Sequence, residues 1–255
     1  MVSGEHHLED VSQAYKLYIT ICILIVVLFV TTALRVWSRL YHSGVFTADD
    51  GLIVLGTCFN IIADGMELFA IKKGFGRHAK FVDKISLILA LKYTQLGVLM
   101  AALAIWSIKV SVCFFLLGLL RDVHRRFRLF IWILMAFTTV LAFIGLLLWG
   151  LQAHPLERLW DPRVKGTRGS SQDFLTVVYI FYAFNLFTDI VYSLTPIWFL
   201  WNVQISKRKK RAIWVLMSSA LLLTVAVTMC IIFAPQFLET EDITWALIPE
   251  FIADW

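Results

Sequence analysis

Six long runs of apolar residues divide this 255-residue chain. A helix needs about 20 apolar residues to cross the roughly 30 Å core of a bilayer, whereas a membrane-spanning strand needs about 9–11 and alternates apolar with polar residues. These runs do not alternate, and they are apolar on every side. The chain is 60% hydrophobic and 16% charged, whereas soluble domains carry roughly 25% charged residues. The sequence therefore predicts an all-α, polytopic transmembrane helix bundle.

The apolar runs set the domain organisation. We predict a six-span domain over residues 17–235, preceded by an extracytoplasmic segment at residues 1–16. Residues 236–255 are acidic at first and end in an apolar stretch too short to cross a bilayer at about 1.5 Å per residue. We expect this region to be an outer loop and the start of an incomplete seventh helix. The six predicted spans are Leu17–Trp37, Gly51–Ile71, Leu96–Leu120, Leu129–Leu151, Phe174–Val203 and Ala212–Pro235.

The basic residues indicate orientation. The net charge of +5 comes from Lys and Arg residues in the connectors between spans, a pattern of membrane topology and not of nucleic-acid binding. The most basic connector is KRKKR at 207–211, which we expect to face the cytoplasm and its anionic lipids. The N-terminus is then outside. The membrane is either the plasma membrane or an endomembrane.

Polar residues inside the predicted spans are the candidate site, because ionisable groups in a membrane need a partner or a water-filled cavity. Counting from the outer ends of the spans places Lys109 and Asp189 at the same depth, near the midplane, so we predict that they pair across spans three and five. Asp64 and Glu67 lie nearer the outer surface of the membrane, where an outer cavity would hydrate them. The candidate set is Asn60, Asp64, Glu67, Lys109, Asn185 and Asp189.

Two interpretations remain open for each of these groups. The Lys109–Asp189 pair either holds two helices together or contributes to ligand binding. Asp64 and Glu67 are either interhelical contacts or an acid pair suited to a cationic ligand, a proton relay or general acid chemistry. No known catalytic motif occurs in the sequence, and the four cysteines lie in apolar runs, where packing explains them. We predict no metal and no cofactor.

Several spaced motifs together resemble the fungal rhodopsin-domain integral membrane proteins, a family that includes the satratoxin-cluster membrane protein and the Pth-eleven-type receptors. The resemblance covers roughly residues 30–255. The matching residues are Arg35, Arg39, Asp49, Asp50, Gly74, Gly76, Arg77, His78, Lys109, Ser111, Pro155, Trp160, Asn185, Asp189 and Pro196.

The resemblance implies a heptahelical, rhodopsin-like fold, of which this chain holds six spans and part of the seventh. It also implies two cysteines in the long outer loop, at positions that hold Ala153 and approximately Thr167 here, so the loop disulfide is missing as a unit. Retinal is not implied, because its lysine would lie in the last helix. Lys109 is better explained as an ion-pair partner.

Two functions are compatible with these observations. The first is a receptor-like protein with an outward polar cavity, an unidentified small-molecule ligand and a cytoplasmic signalling partner that contacts the basic turns. The second is a membrane component or enzyme of a fungal secondary-metabolite pathway that acts on an apolar intermediate, by analogy with similar proteins. A transporter is disfavoured, because no pair of broken helices indicates inverted repeats.

Overall fold

The computed structural model of the protein describes residues 14–42, 46–76, 81–119, 125–169 and 171–201. Four helices in this part of the chain, α1 to α4, are long and apolar enough to cross a membrane. The predicted sixth span and the rest of residues 202–255 lie outside the described residues, as do Arg77 and His78. The five helices are α1 (Ala14–His42), α2 (Ala48–Lys72), α3 (Lys84–Leu119), α4 (Arg125–Leu151) and α5 (Ser171–Trp201).

The third helix begins at Lys84, twelve residues before the predicted start at Leu96. The prediction was wrong because the polar stretch 92–95 interrupts the apolar run and was interpreted as a connector. In the structure, Lys92 instead places its ammonium 5.8 Å from the centre of the Trp160 ring. The Asp83 carboxylate accepts hydrogen bonds from the first backbone N–H groups of the helix, as an N-cap residue does.

Small residues recur at every seventh position along the facing sides of α2 and α3, and we call these two rows the small-residue seam. All of its members are buried. Small side chains let membrane helices approach closely, and a seven-residue repeat is typical of left-handed helix pairs. The seam consists of Gly56, Ala63 and Ala70 on α2 and Ala90, Gly97, Ala104 and Ser111 on α3.

Contacts along the seam show one constant antiparallel register. A Cβ atom built on Gly56 would lie 3.3 Å from the carbonyl oxygen of Ala104. One built on Gly97 would lie 3.6 Å from the carbonyl oxygen of Ala63. A step of seven residues up one helix therefore matches a step of seven down the other. The last steps are Ala70 with Ala90, which share a buried cluster, and Asp49 with Ser111, which share a hydrogen bond.

The other helices attach to this pair through polar contacts as well as apolar packing. Thr32 on α1 and Thr57 on α2 place their hydroxyl oxygens 2.9 Å apart. On the far side, the Tyr192 hydroxyl of α5 lies 3.3 Å from the Cys113 sulfur of α3 and 3.1 Å from the Thr138 hydroxyl of α4. Tyr192 therefore joins three helices at one buried point, inside an apolar cluster.

The long loop between α4 and α5 closes on itself through a short antiparallel ladder. Strand β1 (Ala153–His154) pairs with β2 (Thr167–Arg168), with Ala153 opposite Arg168 and His154 opposite Thr167. The two positions that hold cysteine in the resembled family thus lie on neighbouring strands, and backbone hydrogen bonds join the loop there. Pro155 leads into a 3-10 helix inside the loop.

Helix α2 ends in a turn that needs glycine. Gly74 and Gly76 have φ of 105° and 91°, a region that side chains with a Cβ atom rarely adopt. The Gly74 N–H donates to the Ile71 carbonyl and the Phe75 N–H donates to the Ala70 carbonyl, which are the two hydrogen bonds of a Schellman C-cap. The turn buries Phe75 completely.

Replacing Gly74 by alanine is therefore expected to destabilise the protein by about 1–3 kcal/mol. The added Cβ atom would be strained and would lie 2.8 Å from a methyl group of Val82. Gly65→Ala is the matched control, because a Cβ atom there meets nothing, and alanine stabilises a helix interior by roughly 0.5–1 kcal/mol relative to glycine. Thermal unfolding of the detergent-purified variants measures both effects, and a Gly74→Ala protein as stable as the Gly65→Ala protein would contradict this account of the turn.

Candidate functional site

Two arginines of α1 face two aspartates at the start of α2, and we call this the arginine end of the bundle. Arg35 places its Nη2 3.0 Å from Asp49 Oδ2 and its Nε 3.3 Å from Asp50 Oδ1. Arg39 places the same two nitrogens 3.2 and 3.3 Å from the same two carboxylates. Each arginine therefore bridges both aspartates, and the four charges neutralise one another.

Helix α2 begins at this network for local reasons too. The Asp50 carboxylate accepts hydrogen bonds from the Thr47 N–H at 3.2 Å and the Thr47 hydroxyl at 2.7 Å. Acidic residues in the first turn also interact favourably with the helix dipole. The Ser111 hydroxyl of α3 donates to the Asp49 carbonyl oxygen at 2.7 Å. The network thus joins α1, α2 and α3 at one end.

The predicted ion pair between α3 and α5 is present. The Lys109 Nζ lies 2.9 Å from Asp189 Oδ1, and it donates to the Asn185 side-chain oxygen and the Thr188 hydroxyl, each at 2.9 Å. An ammonium group has three N–H donors, so all of them have partners on α5. This geometry explains Lys109 as a helix-joining residue. A role in ligand binding stays a prediction for Asp189, whose side chain is 39% exposed.

The level assigned to Lys109 from its predicted span was wrong. Since Ser111 meets Asp49, Lys109 lies level with the first turn of α2, close to the arginine end and not midway along α2 and α3. The count from Leu96 failed because α3 begins earlier. The pairing itself was predicted correctly.

Asp64 and Glu67 lie one turn apart on the side of α2 that faces the seam, and both are buried, with 0% and 1% of their surface exposed. Asn60 donates a long hydrogen bond of 3.4 Å to Asp64 Oδ2. In the part of the chain that the structure describes, Asp64 Oδ1 and both carboxylate oxygens of Glu67 have no hydrogen-bond partner. No basic side chain among the described residues pairs with either acid.

Thr94 on α3 belongs with these acids, although the sequence did not single it out. Its side chain is buried, its hydroxyl has no hydrogen-bond partner of good geometry among the described residues, and the register of the seam places it level with Glu67. Gly97 lies beside them, and a Cβ atom there would come 3.0 Å from Glu67 Oε1. The sequence signal that could have found Thr94 was the polar stretch 92–95, which precedes the predicted third span. We call Asp64, Glu67 and Thr94 the acid cluster.

An apolar layer covers the acid cluster at the end of the bundle opposite the arginine network, which we call the turn end. The sequence predicted water around these carboxyl groups, whereas the structure buries them. The Gly74–Gly76 turn places Phe75 in this layer. The layer also contains Ala70 and Ala90, which lie one seam step beyond Gly97. Its five fully buried members are Leu17, Ile21, Ala70, Phe75 and Ala90.

The loop between α4 and α5 reaches the same end of the bundle. Trp160 stacks on Lys92, two residues from Thr94, so the loop is fastened to α3 there. Within the loop, hydrogen bonds from Arg163 to Asp161 at 2.9 and 3.0 Å hold the pKa of that carboxyl group below its ordinary value. Pro196 lies within α5, and its side chain is outside the part of the chain that the structure describes.

The described residues thus hold three polar clusters with different chemistry. The arginine network and the Lys109 cluster are internally neutral, which suits structural roles. The acid cluster is different, because neither of its carboxyl groups has a basic partner among the described residues. No group of three or more His, Cys, Asp or Glu residues that could hold a metal lies in the described ranges.

Comparison with known proteins gives one match. The family described as the fungal rhodopsin domain matches residues 34–253. No curated protein and no solved structure matches the chain.

The Lys109–Asp189 pair generates a prediction for stability. Lys109→Leu and Asp189→Leu should each destabilise the protein more than the double replacement, because each single change leaves an unpaired charge inside the bundle. The expected coupling energy is about 1–3 kcal/mol, reduced by the partial exposure of Asp189. Thermal unfolding of the four proteins in detergent measures it. Additive losses would show that the two residues do not interact.

Proposed function

This chain belongs to the fungal rhodopsin-domain family, and we propose that it is a multi-pass, receptor-like membrane protein. In this proposal it has six spans and the start of a seventh, with the N-terminus and the turn end outside. The arginine end then faces the cytoplasm together with KRKKR at 207–211. The basic start of α4, at residues 125–128, lies at the same end of the bundle and supports this orientation.

The α2–α3 pair carries the proposal, because it connects the acid cluster at one end with the arginine network at the other. Glu67 and Asp49 lie on the same helix, and Thr94 and Ser111 lie on the facing one. A receptor needs an element whose position depends on both ends of the molecule. Packed helices in a constant register suit that task, since they shift as rigid bodies and do not deform gradually.

The proposed ligand site is the acid cluster and the layer that covers it. Carboxyl groups buried without a base are expensive in a membrane and are a functional-site hypothesis by default. A small molecule arriving from outside would meet the layer around Phe75 first. The cytoplasmic partner, in turn, would contact the basic turns near 121–128 and 207–211.

The pathway role is the second candidate, and the same burial favours it. An apolar intermediate dissolved in the bilayer would meet Asp64 and Glu67 in surroundings without water, where a carboxylic acid can donate a proton to it. The two functions predict different losses when the acids are replaced: a cellular response for the receptor, and a metabolite for the pathway enzyme.

The test replaces the acids in the native organism. Asp64→Asn with Glu67→Gln keeps the shape of both side chains and removes both charges. Loss of a cellular response with normal protein abundance and unchanged metabolites is the expected result. Glu157→Gln is the matched control, because Glu157 is an exposed acid in the outer loop and its replacement should change nothing.

Two other outcomes contradict the proposal. Loss of a metabolite at normal protein abundance would favour the pathway enzyme. A silent double variant would show that the acid cluster does not carry the function.

A further inference from the structure

We propose that the acid cluster binds one calcium ion. This inference rests on the proposed function and deepens it by naming a hard cation as what the acids hold. It is argued from the oxygen atoms, the charge and the surroundings of the cluster.

The oxygen atoms come first. Among the described residues, four buried side-chain oxygens at this one place have no hydrogen-bond partner of good geometry: Asp64 Oδ1, Glu67 Oε1, Glu67 Oε2 and Thr94 Oγ1. Asp64 and Glu67 lie one turn apart on α2, and the register of the seam places Thr94 of α3 level with Glu67. Buried polar atoms are nearly always satisfied. Four such oxygens together, in which ionised acids would leave one hydroxyl as the only donor, suit the ligands of a hard cation.

The charge selects a divalent ion. Without a counter-ion, burial in an apolar interior favours the neutral, protonated forms of two carboxyl groups, whereas their ionised forms carry two negative charges that need compensation. The described elements packed around the cluster offer no compensation: α1 contributes Leu17 and Ile21 to the covering layer, α3 contributes Gly97 beside Glu67, and Lys92 is turned to Trp160. One divalent cation would neutralise the pair.

The donors select calcium among divalent ions. Oxygen-only ligands suit hard cations, and calcium accepts about six to eight oxygens in irregular geometry, including both oxygens of one carboxylate. Magnesium demands near-octahedral geometry and retains several waters, which a site whose residues are 0–4% exposed does not favour. Asp64 Oδ2, held only by the 3.4 Å bond from Asn60, is a fifth available oxygen.

The test uses the full chain, purified in detergent and stripped of metal with a chelator. Calcium chloride at constant ionic strength should raise the unfolding temperature by about 5 °C or more at saturation. After calcium has been added and unbound calcium has been washed away, elemental analysis should give one calcium per chain. Magnesium and sodium chloride should give little or no shift.

Variants connect the effect to the cluster. Asp64→Asn and Glu67→Gln should each abolish the calcium-dependent shift, while Glu157→Gln should retain it. Thr94→Val removes one neutral ligand without leaving a charge unpaired, so it keeps the test valid if an acid variant fails to fold. It should raise the calcium concentration at half-maximal shift roughly tenfold.

Three outcomes would overturn the calcium site: no bound calcium, an equal shift in the Glu67→Gln and Glu157→Gln proteins, or an equal shift with sodium chloride alone. The cellular test of the proposed function is independent of the calcium test. If the acid variants lose the response in cells but the purified protein binds no calcium, the proposed function stands and the calcium site is refuted. If the protein binds calcium but the acid variants have no effect in cells, the calcium site stands and the proposed function is refuted.

Discussion

The close approach of α2 and α3 determines the positions of the other polar groups in the described bundle. Every seventh residue on the facing sides of these helices is small, so backbone meets backbone where Gly56 touches Ala104 and where Gly97 touches Ala63. In a bilayer the solvent is as apolar as the side chains, so close packing and hydrogen bonds must hold helices together. The regular spacing fixes the register, and the register brings Ser111 to Asp49 and Thr94 to Glu67.

The polar groups at either end of this pair differ in their energetics. At the arginine end, four charges are close enough to neutralise one another. The Asp50 carboxylate also accepts hydrogen bonds from Thr47 at the start of α2. Lys109 similarly has three partners on a single neighbouring helix. The acid cluster lacks such compensation although it is the most deeply buried of the three. Nothing in the packing of the described helices requires two acids there, since apolar side chains would fill the same space at lower cost. This excess cost is the physical reason to assign function to the cluster.

The sequence predicted the helical bundle and the Lys109–Asp189 pair, because apolar length and the cost of a buried charge leave few alternatives. It misjudged the start of α3, since a helix can carry polar residues wherever a neighbour such as Trp160 satisfies them. The same error hid Thr94, which was assigned to a connector. The seven-residue repeat of small residues is present in the sequence but was not used there, and the pairing of its members became clear only from contacts between the two helices. The solvent exposure of Asp64 could not be predicted from the sequence. It depends on the apolar layer, which contains Phe75 from a turn that is distant from Asp64 along α2.

The positions of the polar groups depend on the register of α2 and α3, and a cross-link measures that register directly. A Cβ atom on Gly56 would lie 3.4 Å from the Cβ of Ser107, close to the separation of about 3.8 Å that a disulfide requires. In a chain without its native cysteines, Gly56→Cys with Ser107→Cys should therefore form a disulfide in intact membranes under mild oxidation. Gly56→Cys with Ile105→Cys, in which Ile105 is exposed on the outer side of α3, should not. Equal cross-linking of the two pairs, or none in the first, would contradict the register.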